Sequence, residues 1–366
     1  MKVLLICNYK PGVGGISGQV ELLQKHMREE GHTADIFSTK ASIIRRLLIP
    51  FRLLSVAKHY EVLHIHCCSG WGFLPAVLGI SVGRRLKKRI VLTYHGGGGE
   101  KFFEKHHKLV HHYLTRTNDN IVLSGFLAGV FDKHQLPYSI IPNIIELDES
   151  HYRQRDVLKP HFICTRAHEP LYNIPCILRA FQKVLTELSL TEKSKSIRIS
   201  QSELKELSEP ISQTENSELP EATLTLVGDG SEHEALIQLA NEMGLKNVTF
   251  TGRVDNSEIY KYLDQADIML SAPTVDNMPV SILEGMNAGL LVISSCVGGV
   301  PYMIKDGETG LLFENDNSDQ LAKKMIEAVE NQSTVNDIII RAHNEVKRYR
   351  WDSVKEQLYT AYGFSS

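Results

Sequence analysis

Asp276 and Glu284 stand eight positions apart in APTVDNMPVSILEGMNAGLLVISS, residues 272–295, where the residue types best suit a built site. A strand-like run precedes it, Asp276 or Asn277 is placed to cap a helix, Pro279 fits that helix's first turn, and Gly289 marks its end. The N–H groups left free at such a helix start form a ready anion site. Glu284, between Leu283 and Met286, interrupts a helix that is otherwise apolar or small, and a solvated glutamate and a ligand-binding one both fit that spacing. Histidines close two other strand-like runs. His64 and His66 alternate in EVLHIHCC and so point the same way, which suits core or loop packing. His95 ends RIVLTYH, and Gly96 to Gly99 after it make a flexible or close-approach loop.

The elements that must position these residues read as α/β units. KVLLIC, a glycine loop, a helix with Val20, Leu23 and Met27 on one face, and ADIFST form a first βαβ unit. Buried-strand runs EVLHIHCC, RIVLTYHG, NIVLS and YSIIPN follow at spacings that leave room for crossover helices, which argues for a parallel sheet. A second series, HFICTRA, ATLTLVGDG, NVTFTG, DIMLSAP and LLVISS, predicts a second doubly wound domain. Polar, charged ELDESHYRQRDVLKP marks the boundary, giving domains at 1–155 and 156–345 and a closing helical segment at 346–366 that is expected to cross back to the first domain. Residues 190–219, rich in Ser, Glu and Lys, are expected to form a flexible surface insertion. Open α/β sheets bind ligands at the carboxyl ends of their strands, so a site shared between two facing domains follows.

Composition narrows the function classes. At 366 residues the chain exceeds one ordinary core, and 42% hydrophobic with 23% charged residues is the balance of a folded globular protein. No apolar run is long enough to span a membrane, and MKVLLICNYK turns polar too early for a signal peptide, so a cytoplasmic location is expected. A net charge of −3 gives no field for nucleic acid. The six cysteines, Cys7, Cys67, Cys68, Cys164, Cys176 and Cys296, form no CxxC pair and read as reduced core residues.

The segment holding Asp276 and Glu284 resembles the signature of family 4 glycosyltransferases of the GT-B fold, in which two acidic residues share this spacing. The resemblance implies that Glu284 binds the ribose hydroxyls of a nucleotide-sugar donor and that Asp276, an aspartate where the family usually has glutamate, meets the hydroxyls of the transferred sugar. A carboxylate can accept two hydrogen bonds from a vicinal diol. Asn277, Met278, Pro279 and Val280 fall in the donor-binding part of the same signature. In family order, Gly12, Gly14 and Gly15 resemble the glycine loop near the diphosphate or sugar, although the spacing is not GxGxxG, and His95 the histidine that reaches the sugar. Arg166 resembles the arginine that binds the diphosphate, a role suited to a permanent charge with several donors. Gly228 and Gly230 resemble glycines beside the nucleotide, and Arg253 and Val254 the base-binding stretch. Leu171 stands where the family usually carries a lysine, and Tyr302 where many relatives carry glutamate.

The resemblance implies a retaining transfer of a hexosyl-type unit from a nucleotide-diphosphate sugar to a glycan, lipid-linked or small-molecule acceptor. No metal or other cofactor is expected, since the chain has no Asp-x-Asp triplet of the kind that divalent-dependent transferases use. A nucleotide-sugar 2-epimerase and a donor-binding subunit with weakened catalysis share this architecture. Residues 43–58, IIRRLLIPFRLLSVAK, admit either an interfacial helix on an anionic membrane or a core-packing helix with a solvated basic face, interrupted by Pro50.

Overall fold

Apolar runs of four to six residues become strands here because both of their faces are covered by helices, the arrangement that parallel sheets require. The computed structural model describes residues 1–11, 15–40, 47–203 and 221–364. Among them are two six-stranded sheets in which every strand pairing is parallel. The first contains β1 (Lys2–Cys7), β2 (Thr33–Ser38), β3 (Val62–Cys67), β4 (Arg89–Tyr94), β5 (Asp119–Val122) and β6 (Ser139–Ile140), in the order β2-β1-β3-β4-β5-β6. The second contains β7 (His161–Cys164), β8 (Thr223–Val227), β9 (Val248–Gly252), β10 (Ile268–Ser271), β11 (Leu291–Ser295) and β12 (Leu311–Phe313), in the order β12-β11-β10-β7-β8-β9. This is the α/β GT-B architecture. The strand order reverses between β1 and β3 in one sheet and between β7 and β10 in the other. At such switch points neighbouring loops diverge and leave a crevice.

Two crossings tie the sheets together. Ile144 packs with the first sheet while Ile145 packs with the second, and the buried Gln19 amide clamps the Ile144 backbone by donating to its carbonyl at 2.9 Å and accepting from its N–H at 3.0 Å. Further on, helix Trp351–Ala361 returns to the first sheet and buries Trp351, Val354, Leu358 and Tyr362 against Val3, Leu5 and helix Ile16–Glu29.

Several local expectations change. Helix Ile174–Glu203 runs into the segment read as an insertion, and 204–220 lie outside the described residues. Pro50 starts helix Ile49–Ala57 instead of interrupting one, since its missing N–H costs nothing in a first turn. That helix buries Ile49, Leu53 and Ala57 while Leu47, Leu48 and Phe51 at its start are exposed. Arg45 and Arg46 lie outside the described residues. All six cysteines are unpaired, but Cys68 is only partly buried and Cys296 is exposed, so neither is a core residue. No helix among the described residues is long and apolar enough to cross a membrane.

Candidate active site

The second sheet's switch point brings together side chains from two loops and a helix. Arg166 leaves β7, and its guanidinium forms an ion pair with Asp276, which leaves β10, while donating at 2.9 Å to Ser281 Oγ on helix Val280–Asn287. The Tyr172 ring lies 4.0 Å from the guanidinium carbon, a cation–π contact that fixes the fork in a plane. Arg166 Nε remains buried without a partner. Leu171, in the place of the family's lysine, contributes its carbonyl instead, which accepts from the Thr274 N–H at 2.8 Å and braces the β10 loop.

Helix Val280–Asn287 is capped by Pro279, with no side-chain cap, so Asp276 and Asn277 are not caps and Pro279 precedes the first turn. Their side chains are used elsewhere. Asp276 Oδ1 accepts from the Asn277 N–H at 2.8 Å, and Asn277 Oδ1 accepts from Ser124 Oγ of the first domain at 2.6 Å. Glu284 is partly buried one turn into the helix, and its carboxylate has no hydrogen bond to any described residue. Burial pushes its carboxyl up to about 7, with Arg166 pulling the other way. A carboxylate held without partners beside a paired arginine is poised to accept from a ligand. The far end of the helix is pinned by Arg155, fully buried, which donates to the carbonyls of Ala288, Gly289, Leu263 and Ala266 and to Asp267. A cation at a helix carboxyl end also opposes the helix dipole.

From the first domain, the loop after β4 approaches this constellation. A Cβ on Gly97 would lie 3.2 Å from the Asp276 backbone, and one on Gly96 would lie 3.1 Å from Ser69. Asn143 donates to the Met278 carbonyl at 3.2 Å, adding another contact between the domains. His95 precedes the loop, with Nε2 3.0 Å from His66 Nδ1. Burial pushes the His95 imidazole down to about 3, and holds His66 well below its ordinary range with help from His64 and His95, so both are neutral at pH 7. His64 is fixed between Tyr362 and Thr93, each contact 2.8 Å. No pattern in the sequence signals that His66 touches His95, because their contact depends on β3 and β4 being neighbours in register.

Other expected residues fall at the strand ends without meeting this cluster directly. Gly228 has φ 153°, and a Cβ there would lie 2.4 Å from the Arg166 carbonyl; on Gly230 it would lie 2.4 Å from that of His168. These glycines therefore make room for the β7 loop that carries Arg166. Arg253 and Val254 follow β9, the arginine exposed and the valine partly buried. Gly15 has φ 68°, a glycine conformation at the start of helix Ile16–Glu29, whereas Gly12 and Gly14 lie outside the described residues. Tyr302 packs over Gly125 of the first domain, so the position that often holds glutamate serves the domain contact.

Two doubly wound domains whose strand ends converge on an arginine–carboxylate cluster define the GT-B fold. Residues 199–345 match the family model of glycosyl transferases group 1. The chain is similar to N-acetyl-alpha-D-glucosaminyl L-malate synthase of Bacillus anthracis, with 24% identity over 336 residues, 86% of this chain and 78% of that protein. Phosphatidyl-myo-inositol mannosyltransferase of Mycolicibacterium smegmatis is 28% identical over 145 residues, 39% of this chain and 37% of that protein. Among solved structures, Anabaena HepE in complex with UDP-glucose aligns over 99% of both chains with a TM-score of 0.73 at 15% identity. Sucrose-phosphate synthase from Thermosynechococcus elongatus aligns over 99% of this chain and 98% of its own with a TM-score of 0.74 at 16% identity.

Proposed function

We propose that this glycosyltransferase moves a hexosyl-type unit from a nucleotide-diphosphate sugar to a glycan, lipid-linked or small-molecule acceptor, with retention of configuration. The observation that carries this reading is the joining of Arg166, Asp276 and Ser281 beside the unpartnered Glu284 carboxylate at the second sheet's switch point. Glu284 takes the ribose hydroxyls and Arg166 the diphosphate, whose departing charge a preorganised cation stabilises. Asp276 takes the sugar's hydroxyls, and His95 meets the sugar from the opposite domain. The names of the relatives, which include a UDP-glucose complex, support a nucleotide-sugar donor.

The test is incubation with UDP-, GDP- and ADP-sugars and an acceptor mixture, read by mass spectrometry and by the anomeric proton coupling of the product. Transfer with unchanged anomeric configuration is expected. Conversion of the donor to its 2-epimer, or binding without turnover, would instead favour an epimerase or a donor-binding subunit.

A further inference from the structure

His66 is 2% exposed and spends Nδ1 on His95 Nε2, while its own Nε2 is buried without a partner. Both rings being neutral, a single proton lies between them, and two arrangements exist. If His66 carried its proton on Nε2, that N–H would be an orphaned buried donor, and His95 Nε2–H would donate to His66. With the proton on Nδ1, His66 donates to His95 and only a lone pair is left unpartnered. Unpaired buried N–H groups are the rarer and costlier case, which selects the second arrangement. His95 then accepts at Nε2 and must carry its own proton on Nδ1, the nitrogen that no described residue engages.

We propose that His66 is a positioning residue that fixes His95 as the Nδ1–H tautomer, so that His95 offers the transferred sugar a hydrogen-bond donor and not an acceptor. The proposal rests on the reading that His95 meets the sugar. It assigns His66, one of two buried histidines on β3, a part in transfer. His64 shares the strand but serves another purpose, since both of its nitrogens are spent on Tyr362 and Thr93.

The experiment uses the full chain labelled with nitrogen-15 at histidine, with long-range proton–nitrogen spectra at pH 7.5. Wild type is expected to show His95 protonated at Nδ1. Asparagine places its amide donor near the position of Nδ1 and glutamine near that of Nε2. His66→Asn is therefore expected to keep the His95 pattern and turnover within about threefold, and His66→Gln to lose both, with turnover down about tenfold or more and nucleoside diphosphate affinity unchanged. A wild-type spectrum with His95 protonated at Nε2, or equal turnover for His66→Gln and His66→Asn, would overturn the proposal. Full turnover in His95→Ala would overturn the reading of His95 itself, and the wild-type spectrum would still decide the tautomer.

Discussion

Arg166 and Asp276 are 110 residues apart in sequence and joined as an ion pair at the switch point of the second sheet, with only 10% and 18% of their side chains exposed. The Arg166 Nε–H is buried without a partner, and a diphosphate oxygen is the acceptor proposed for it. Asp276→Asn keeps the hydrogen-bonding shape and removes the competing charge. Nucleoside diphosphate affinity is expected to stay within about threefold while turnover falls about tenfold or more, since the partner proposed for the aspartate is the sugar. Equilibrium binding and a turnover assay on the one variant check both halves; a large loss of nucleotide affinity with intact kcat would reverse the assignment.

Glu284 makes stability depend on pH. Its carboxyl is raised from 4.5 to about 7 in the folded chain, so between those values the native state binds more protons than the unfolded state, and stability is lost as pH rises through about 7. Glu284→Gln removes that cost. The ligand-free variant is expected to be more stable than wild type at pH 8 by about 1–3 kcal/mol, with the gain vanishing below about pH 4.5. Urea unfolding at several pH values measures it. A variant that is less stable at pH 8 would mean that the carboxylate has a partner in the folded protein.

Gly97 faces the Asp276 backbone across the domains, with a Cβ only 3.2 Å away. Gly97→Val adds branched bulk at that approach. The nucleotide pocket proposed for the second domain is untouched, so turnover is expected to fall about tenfold or more while nucleoside diphosphate affinity changes by less than about twofold. Equal loss of both would place Gly97 in the nucleotide pocket.

Arg155 tests how the Glu284 helix is held. Arg155→Met would leave the carbonyls of Ala288, Gly289 and Leu263 without their charged donor and strip Asp267 of one of its two ion-pair partners, the other being Arg153. Breaking a buried pair in this way typically costs about 3–5 kcal/mol. Denaturant unfolding is the measurement, and a loss below about 1 kcal/mol would show that Arg153 suffices.

The fold was legible because parallel strands buried on both faces are written as continuous apolar runs, as VLHIHC and RIVLTY are. The shared spacing of Asp276 and Glu284 likewise lies within one segment. What stayed hidden depends on distant pairing. Arg155 reads as one charge in a polar linker until the ends of two helices close around it. Tyr362 and His64, 298 residues apart, meet only because the final helix crosses back. The helix cap was misplaced for a local reason: Asp276 and Asn277 are good capping types, but an arginine and a serine from elsewhere engage them first.

In the proposed reaction the second domain grips the nucleotide while the first domain supplies the sugar contact. Calorimetric titration of the nucleoside diphosphate product into wild type, Glu284→Gln and His95→Ala tests it most directly. Glu284→Gln is expected to lose about 1.5–3 kcal/mol of binding free energy, the worth of charge-assisted hydrogen bonds, and His95→Ala to bind as wild type does. If His95→Ala loses as much affinity as Glu284→Gln, or if Glu284→Gln binds unimpaired, the nucleotide does not lie where this account puts it.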